Sequence, residues 1–132
     1  MKPTADRLAE PRIDRRLWPV LAGYWTLLVI ATHLPGSYAK ATAGLIEFDK
    51  LIHLTAYAVL GCLLAVCVTP RGGRLGVATA GALWLVVTSF GACDELTQSL
   101  VGRSCELYDF LADAVGAASG IGAYALWTRW RG

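Results

Sequence analysis

Residues 51–69 read LIHLTAYAVLGCLLAVCVT. The run shows no period-two alternation, and His53 is its only member from the set His, Asp, Glu, Lys and Arg. Pro70-Arg71-Gly72-Gly73 closes it with a strong turn signal. A helix crosses a bilayer with about 20 mostly apolar residues, whereas a membrane strand needs only about 10. The run is too long for such a strand. The hydrocarbon core offers its backbone groups no outside partner, which leaves the helix as the viable conformation.

Three more runs of this kind flank it. Leu17–Leu34 stops at Pro35-Gly36. Leu75–Cys93 is cut off by Asp94-Glu95. Leu107–Trp127 carries Asp109 and Asp113 near its start and closes on Arg129, Trp130 and Arg131. The expected fold is therefore all-α: a polytopic membrane protein whose four transmembrane helices, at about 17–34, 51–69, 75–93 and 107–128, form a compact bundle over residues 17–130. Residues 1–16 hold Lys2, Arg7, Arg12, Arg15 and Arg16 with Pro3 and Pro11, and read as a flexible basic tail. Residues 35–48 read as a loop with room for a short interfacial helix. Ala41-Thr42-Ala43 resembles a signal-peptide cleavage site, but the preceding apolar stretch exceeds the usual signal core of about 7–15 residues. It reads as a retained helix.

Composition agrees. The chain has 132 residues, 55% of them hydrophobic, with a mean hydropathy of +0.49 and a net charge of only +2. A soluble domain of this size could not hide that much apolar surface, and the weak net charge gives no case for a nucleic-acid partner. Membrane lipids are the expected surroundings, and nothing in the pattern fixes an oligomeric state. Lys2, Arg7, Arg12, Arg15, Arg16, Arg71, Arg74, Arg129 and Arg131 fall on one side of the four spans, against Lys40, Lys50 and Arg103 on the other. Basic residues collect inside. Both termini are thus expected in the cytoplasm of a multi-pass cell-membrane protein. Cys62, Cys67, Cys93 and Cys105 follow no zinc-site spacing, so no metal site is assigned. A Cys93–Cys105 bridge is open if that loop faces an oxidising compartment.

The unusual polar residues gather on the outer side. Asp49, Lys50 and His53 open the second helix. Asp94, Glu95 and Gln98 follow the third, Arg103 and Glu106 lie in the next loop, and Asp109 and Asp113 open the fourth. Asp49, His53 and Tyr57 are four apart and share one helix face. There Asp49 is placed to fix the tautomer of His53. Asp113 should sit about a turn below the interface, where an ionised group is costly unless paired. Arg103, Lys50 and His53 are its expected partners. Gly116 and Gly120 continue the Asp113 stripe as GxxxG, which admits a close neighbouring helix, the second or the third. Each feature has a plain reading alone: a helix end at the water surface, a snorkelling lysine, a packed tyrosine. Three distant segments placing ionisable groups at one depth point instead to a site.

The residues that make the pattern are Asp49-Lys50-x-x-His53-x-x-x-Tyr57, then Asp94-Glu95-x-x-Gln98, Gly102-Arg103 and Asp109-x-x-x-Asp113-x-x-Gly116-x-x-x-Gly120. This resembles the signatures of the VanZ-like family from about residue 49 to 120. The stretch from Gln98 to Arg103 is shorter than the family's and lacks its proline. The resemblance implies a membrane protein of the cell envelope and a link to resistance to the glycopeptide teicoplanin. It supplies no reaction.

Two main functions fit these residues. In the first, an outward-facing site binds, and in one form transforms, an anionic envelope lipid or its head group. Lys50 and Arg103, with Tyr57 and Gln98, would hold it. His53, Asp49, Asp94, Glu95, Asp109 and Asp113 are the candidate acid–base and positioning groups, and the carboxylates could also hold a hard divalent cation. In the second, the cluster is a ligand-free polar lock between helices. Proton-linked transport ranks last, because the polar groups stop near one face. The pattern does not decide between catalysis and binding, and names no cofactor.

Overall fold

A computed structural model describes residues 15–34, 46–102 and 106–131, with side chains of the second segment described from residue 49. The expected basic tail before residue 15, the loop and interfacial helix of residues 35–45, and Arg103 and Cys105 lie outside the described residues.

The protein is all-helical. After a 3₁₀ turn at Arg15–Leu17 come α1 (Trp18–Thr32), α2 (Ile46–Val68), α3 (Val77–Gln98), a second 3₁₀ turn (Ser99–Val101) and α4 (Leu107–Trp130). Pro19 sits in the first turn of α1, where a missing N–H costs nothing. Thr69 still closes onto Ala65 O at 3.1 Å, and Pro70 then stops α2. The chain reverses through Gly72 at φ +72°, a left-handed conformation suited to glycine.

Three helical segments, Asp49–Val68, Val77–Val101 and Leu107–Trp130, are long and apolar enough to cross a membrane. α1 is shorter, with 15 residues and an axial length of roughly 22 Å. The third helix does not end at Cys93 as expected. It runs through Asp94 and Glu95 to Gln98. These side chains are buried against α1 and α4, so the acidic pair does not mark a water surface. Likewise α2 begins at Ile46, ahead of the apolar run, and carries Asp49 and Lys50 on its first turns.

α2 and α4 form the closest pair, with α3 packed on both and α1 on α2. Three glycines set the α2–α4 approach. A Cβ on Gly116 or Gly120 would run into the backbone of Leu54 or Ala58, and one on Gly61 would lie 2.8 Å from Ala117 O. Tyr57, Leu60, Val87, Ala117 and Ile121 fill the centre, and Trp25 packs edge-on to Phe90 at 5.1 Å. Leu27, Leu85, Leu96 and Leu126 remain exposed. In a bilayer such a surface meets lipid rather than water.

Candidate functional site

The antiparallel order of the helices brings the end of α1, the start of α2, the end of α3 and the start of α4 to one end of the bundle. Nearly all the expected polar residues meet there. His53, Tyr57, Asp94, Glu95, Gln98, Asp109 and Asp113 are each buried, at 5% exposure or less.

At the centre, His53 Nδ1 lies 2.9 Å from Asp113 Oδ1. The histidine is therefore held by a carboxylate from α4, and not by Asp49 one turn away on its own helix. The Gly116 and Gly120 contacts explain the switch, because they press the start of α4 onto this face of α2. Asp49 remains close. Ligand atoms of Asp49, His53 and Asp109 lie within 4.8 Å of one another, as do those of His53, Glu95 and Asp113. These two overlapping triplets are the places where the described residues could hold a metal, a possibility that cysteine spacing did not reveal.

The acidic residues of α3 are tied in from several sides. Gln98 Nε2 donates to Asp94 Oδ2 at 3.1 Å and to Glu95 Oε1 at 3.4 Å. The backbone N–H of Glu106 donates to Glu95 Oε2 at 3.2 Å. At the rim, Lys50 Nζ lies 3.4 Å from Asp109 Oδ1 and 3.6 Å from Glu106 Oε2. Lys50 thus pairs with Asp109, while the expected Asp113 pairing is made by His53.

Sequence reasoning missed α1's part. Thr32 Oγ1 donates to Asp94 Oδ1 at 2.9 Å. His33 Nε2 lies 2.9 Å from Thr97 Oγ1, and its Nδ1 lies 3.5 Å from Asp94 Oδ1. The available signal was positional: Thr32-His33 is the polar pair that closes the first apolar run, at the depth of the other groups.

Not every polar atom is satisfied. Among the described residues, Tyr57 OH, Asp113 Oδ2 and Thr88 Oγ1 are buried without a hydrogen-bond partner. Tyr57 is packed in the core, as its position suggested, with its hydroxyl on the Asp94 side of the cluster. Its ring and Asp113 Oδ2 converge on Gly91, where an added Cβ would lie 3.1 Å from Tyr57 Cε1 and 3.3 Å from Asp113 Oδ2. A bare backbone at residue 91 keeps this space open.

A groove of about 560 Å³ lies at the opposite end, between Leu17, Val66, Pro70, Tyr124 and Trp127. It contains none of the acidic cluster.

Comparison with curated proteins and with solved structures returned no match. The family model described as VanZ/LLP1 matches residues 13–128, which takes in α1 to α3, α4 as far as Thr128, and every described member of the polar cluster. The spacing of Asp49, His53, Asp94, Asp109 and Asp113, the bundle that joins them and this match over most of the chain lead to one assignment: the protein belongs to the VanZ/LLP1 family.

Proposed function

We propose that this membrane protein binds the head group of an anionic envelope lipid at the polar end of its bundle, with His53 and Asp113 as an acid–base pair beneath it. Both termini are cytoplasmic in this reading, so the polar end faces outward. Lys50, at the half-exposed rim, meets the phosphate or carboxylate, and Arg103 is the second cation assigned to it. Glu95, Asp94 and Asp109 orient the hydroxyl-bearing part of the head group deeper in.

One observation carries the reading over a ligand-free lock. A polar lock stabilises packing when each member is satisfied. Here Asp113 Oδ2, on the far side of the carboxylate that holds His53, is fully buried and unpartnered among the described residues. Leaving such a group unpaired costs about 1–3 kcal/mol, a cost that a bound ligand removes. The bond from Thr32 to Asp94 favours the lock as a second reading, since it ties α1 to α3.

The test is mass spectrometry of lipids retained by the purified full chain and by Lys50→Gln, Arg103→Gln and His53→Ala variants. Head-group binding predicts an anionic lipid held by the wild type and lost from the Lys50 and Arg103 variants at unchanged melting temperature. The lock predicts identical lipid profiles for the wild type and all three variants. The glycopeptide link implied by the family resemblance predicts that expression raises teicoplanin tolerance in a sensitive host, and that His53→Ala abolishes the gain. Outward sidedness predicts labelling of Ser99→Cys by an impermeant maleimide in intact cells, in a background without the native cysteines.

A further inference from the structure

We propose that His53, Glu95 and Asp113 form a binding site for one divalent transition ion, beside the edge of the Tyr57 ring. The three residues come from α2, α3 and α4, and their ligand atoms lie within 4.8 Å of one another. Imidazole and carboxylate ligands stand about 2.0–2.2 Å from such an ion, so neighbouring ligands on one ion are roughly 3–3.5 Å apart. His53 Nδ1 and Asp113 Oδ1 already stand 2.9 Å apart, so closing the triplet onto an ion asks chiefly for a shift of the Glu95 side chain.

A buried carboxylate oxygen without a partner is a second sign of a ligand. Asp113 is 0% exposed, and its Oδ2 has no hydrogen-bond partner among the described residues. An unpaired carboxylate oxygen sealed from water is unfavourable, and a cation is the partner that suits it. Gly91 keeps the adjoining space clear, since a Cβ there would crowd Tyr57 and Asp113 Oδ2 together. Glu95 is already aimed by its bonds from Gln98 and the Glu106 backbone, the outer support that metal-binding carboxylates have.

Charge separates the two overlapping triplets. Asp109, in the triplet with Asp49, already holds the Lys50 ammonium at 3.4 Å, which repels a second cation. The triplet containing Glu95 and Asp113 is buried throughout and brings two carboxylates to a single imidazole. One nitrogen with carboxylate oxygens suits an ion of the Mn²⁺ or Zn²⁺ class. Ca²⁺ is disfavoured, because it takes about 6–8 oxygen ligands.

The inference is tested apart from the head-group reading, because the ion is measured in lipid-free detergent. An ion bound there would engage His53, Glu95 and Asp113 as its ligands in place of the acid–base and positioning roles given to them above. The full chain, stripped with a chelator, is titrated with Mn²⁺ followed by electron paramagnetic resonance and with Zn²⁺ by calorimetry. One ion per chain is expected, retained through desalting and accompanied by a higher melting temperature. Glu95→Gln and Asp113→Asn are expected to weaken binding by at least about 10-fold. A wild-type chain that retains neither ion overturns the proposal whatever the variants do. So does binding that survives both substitutions, or that is lost in Asp109→Asn and kept in Glu95→Gln, which would put the ion in the other triplet.

Discussion

Replacing Gly120 with alanine tests the contact that organises the whole bundle. The added Cβ would run into Ala58 O and lie 2.7 Å from the Ala58 carbonyl carbon and 3.0 Å from its Cα. All three atoms are backbone, so no side chain can swing aside. Carbon–carbon contacts are comfortable at about 3.5 Å. Reaching that distance from 2.7 Å requires α2 and α4 to part by at least about 0.8 Å at this level, and the closer contact with Ala58 O asks for more. A gap of about that width forfeits a quarter to a half of each dispersion contact along the seam. Overpacking of this kind costs about 1–3 kcal/mol, which outweighs the gain of about 1 kcal/mol in helix propensity from glycine to alanine. Gly122, two residues on, is the internal control, because a Cβ there meets nothing within 4 Å. Gly122→Ala should leave stability unchanged or raise it slightly. The assay is thermal unfolding of the purified chain in detergent, with a fall in Tm of several degrees expected for Gly120→Ala alone. Equal melting temperatures for the two variants would refute the argument that the α2–α4 approach is set by this glycine.

Three further outcomes are expected. Gly91→Ala should disturb the site more than the fold, because its Cβ meets a tyrosine ring edge and a carboxylate oxygen rather than backbone; metal retention falls while helicity by circular dichroism holds. His53→Ala should cost about 3 kcal/mol or more by leaving Asp113 buried without its partner, and His53→Ala/Asp113→Ala together should cost less than the two single losses added. A double-mutant cycle in the same melting assay that gives strict additivity would show that the pair is not coupled. Trp84→Phe removes the indole N–H bond to Ala114 O, 2.9 Å long, and should lower stability by about 0.5–1.5 kcal/mol without changing ion or lipid binding.

The four helices, and the end of the bundle at which acids and histidine collect, were legible from the chain because both follow from one-dimensional facts. Run length measures against bilayer thickness, and backbone groups in hydrocarbon admit few alternatives to the helix. The stripe of Asp109, Asp113, Gly116 and Gly120 was legible in the same way, as spacing along a single helix. Partnership was not. His53 is bound by Asp113 from another helix rather than by Asp49 one turn away, and Asp94 and Glu95 lie inside a helix that the apolar pattern ended before them. Thr32 and His33 join the cluster from α1, across a gap of about 60 residues. Periodicity fixes which side chains share a face of one helix. It says nothing of how closely two helices cross, and here that distance is set where Gly116 and Gly120 meet the backbones of Leu54 and Ala58. Only the assembled bundle therefore decides which carboxylate reaches the histidine and which polar atoms are left facing an unfilled space.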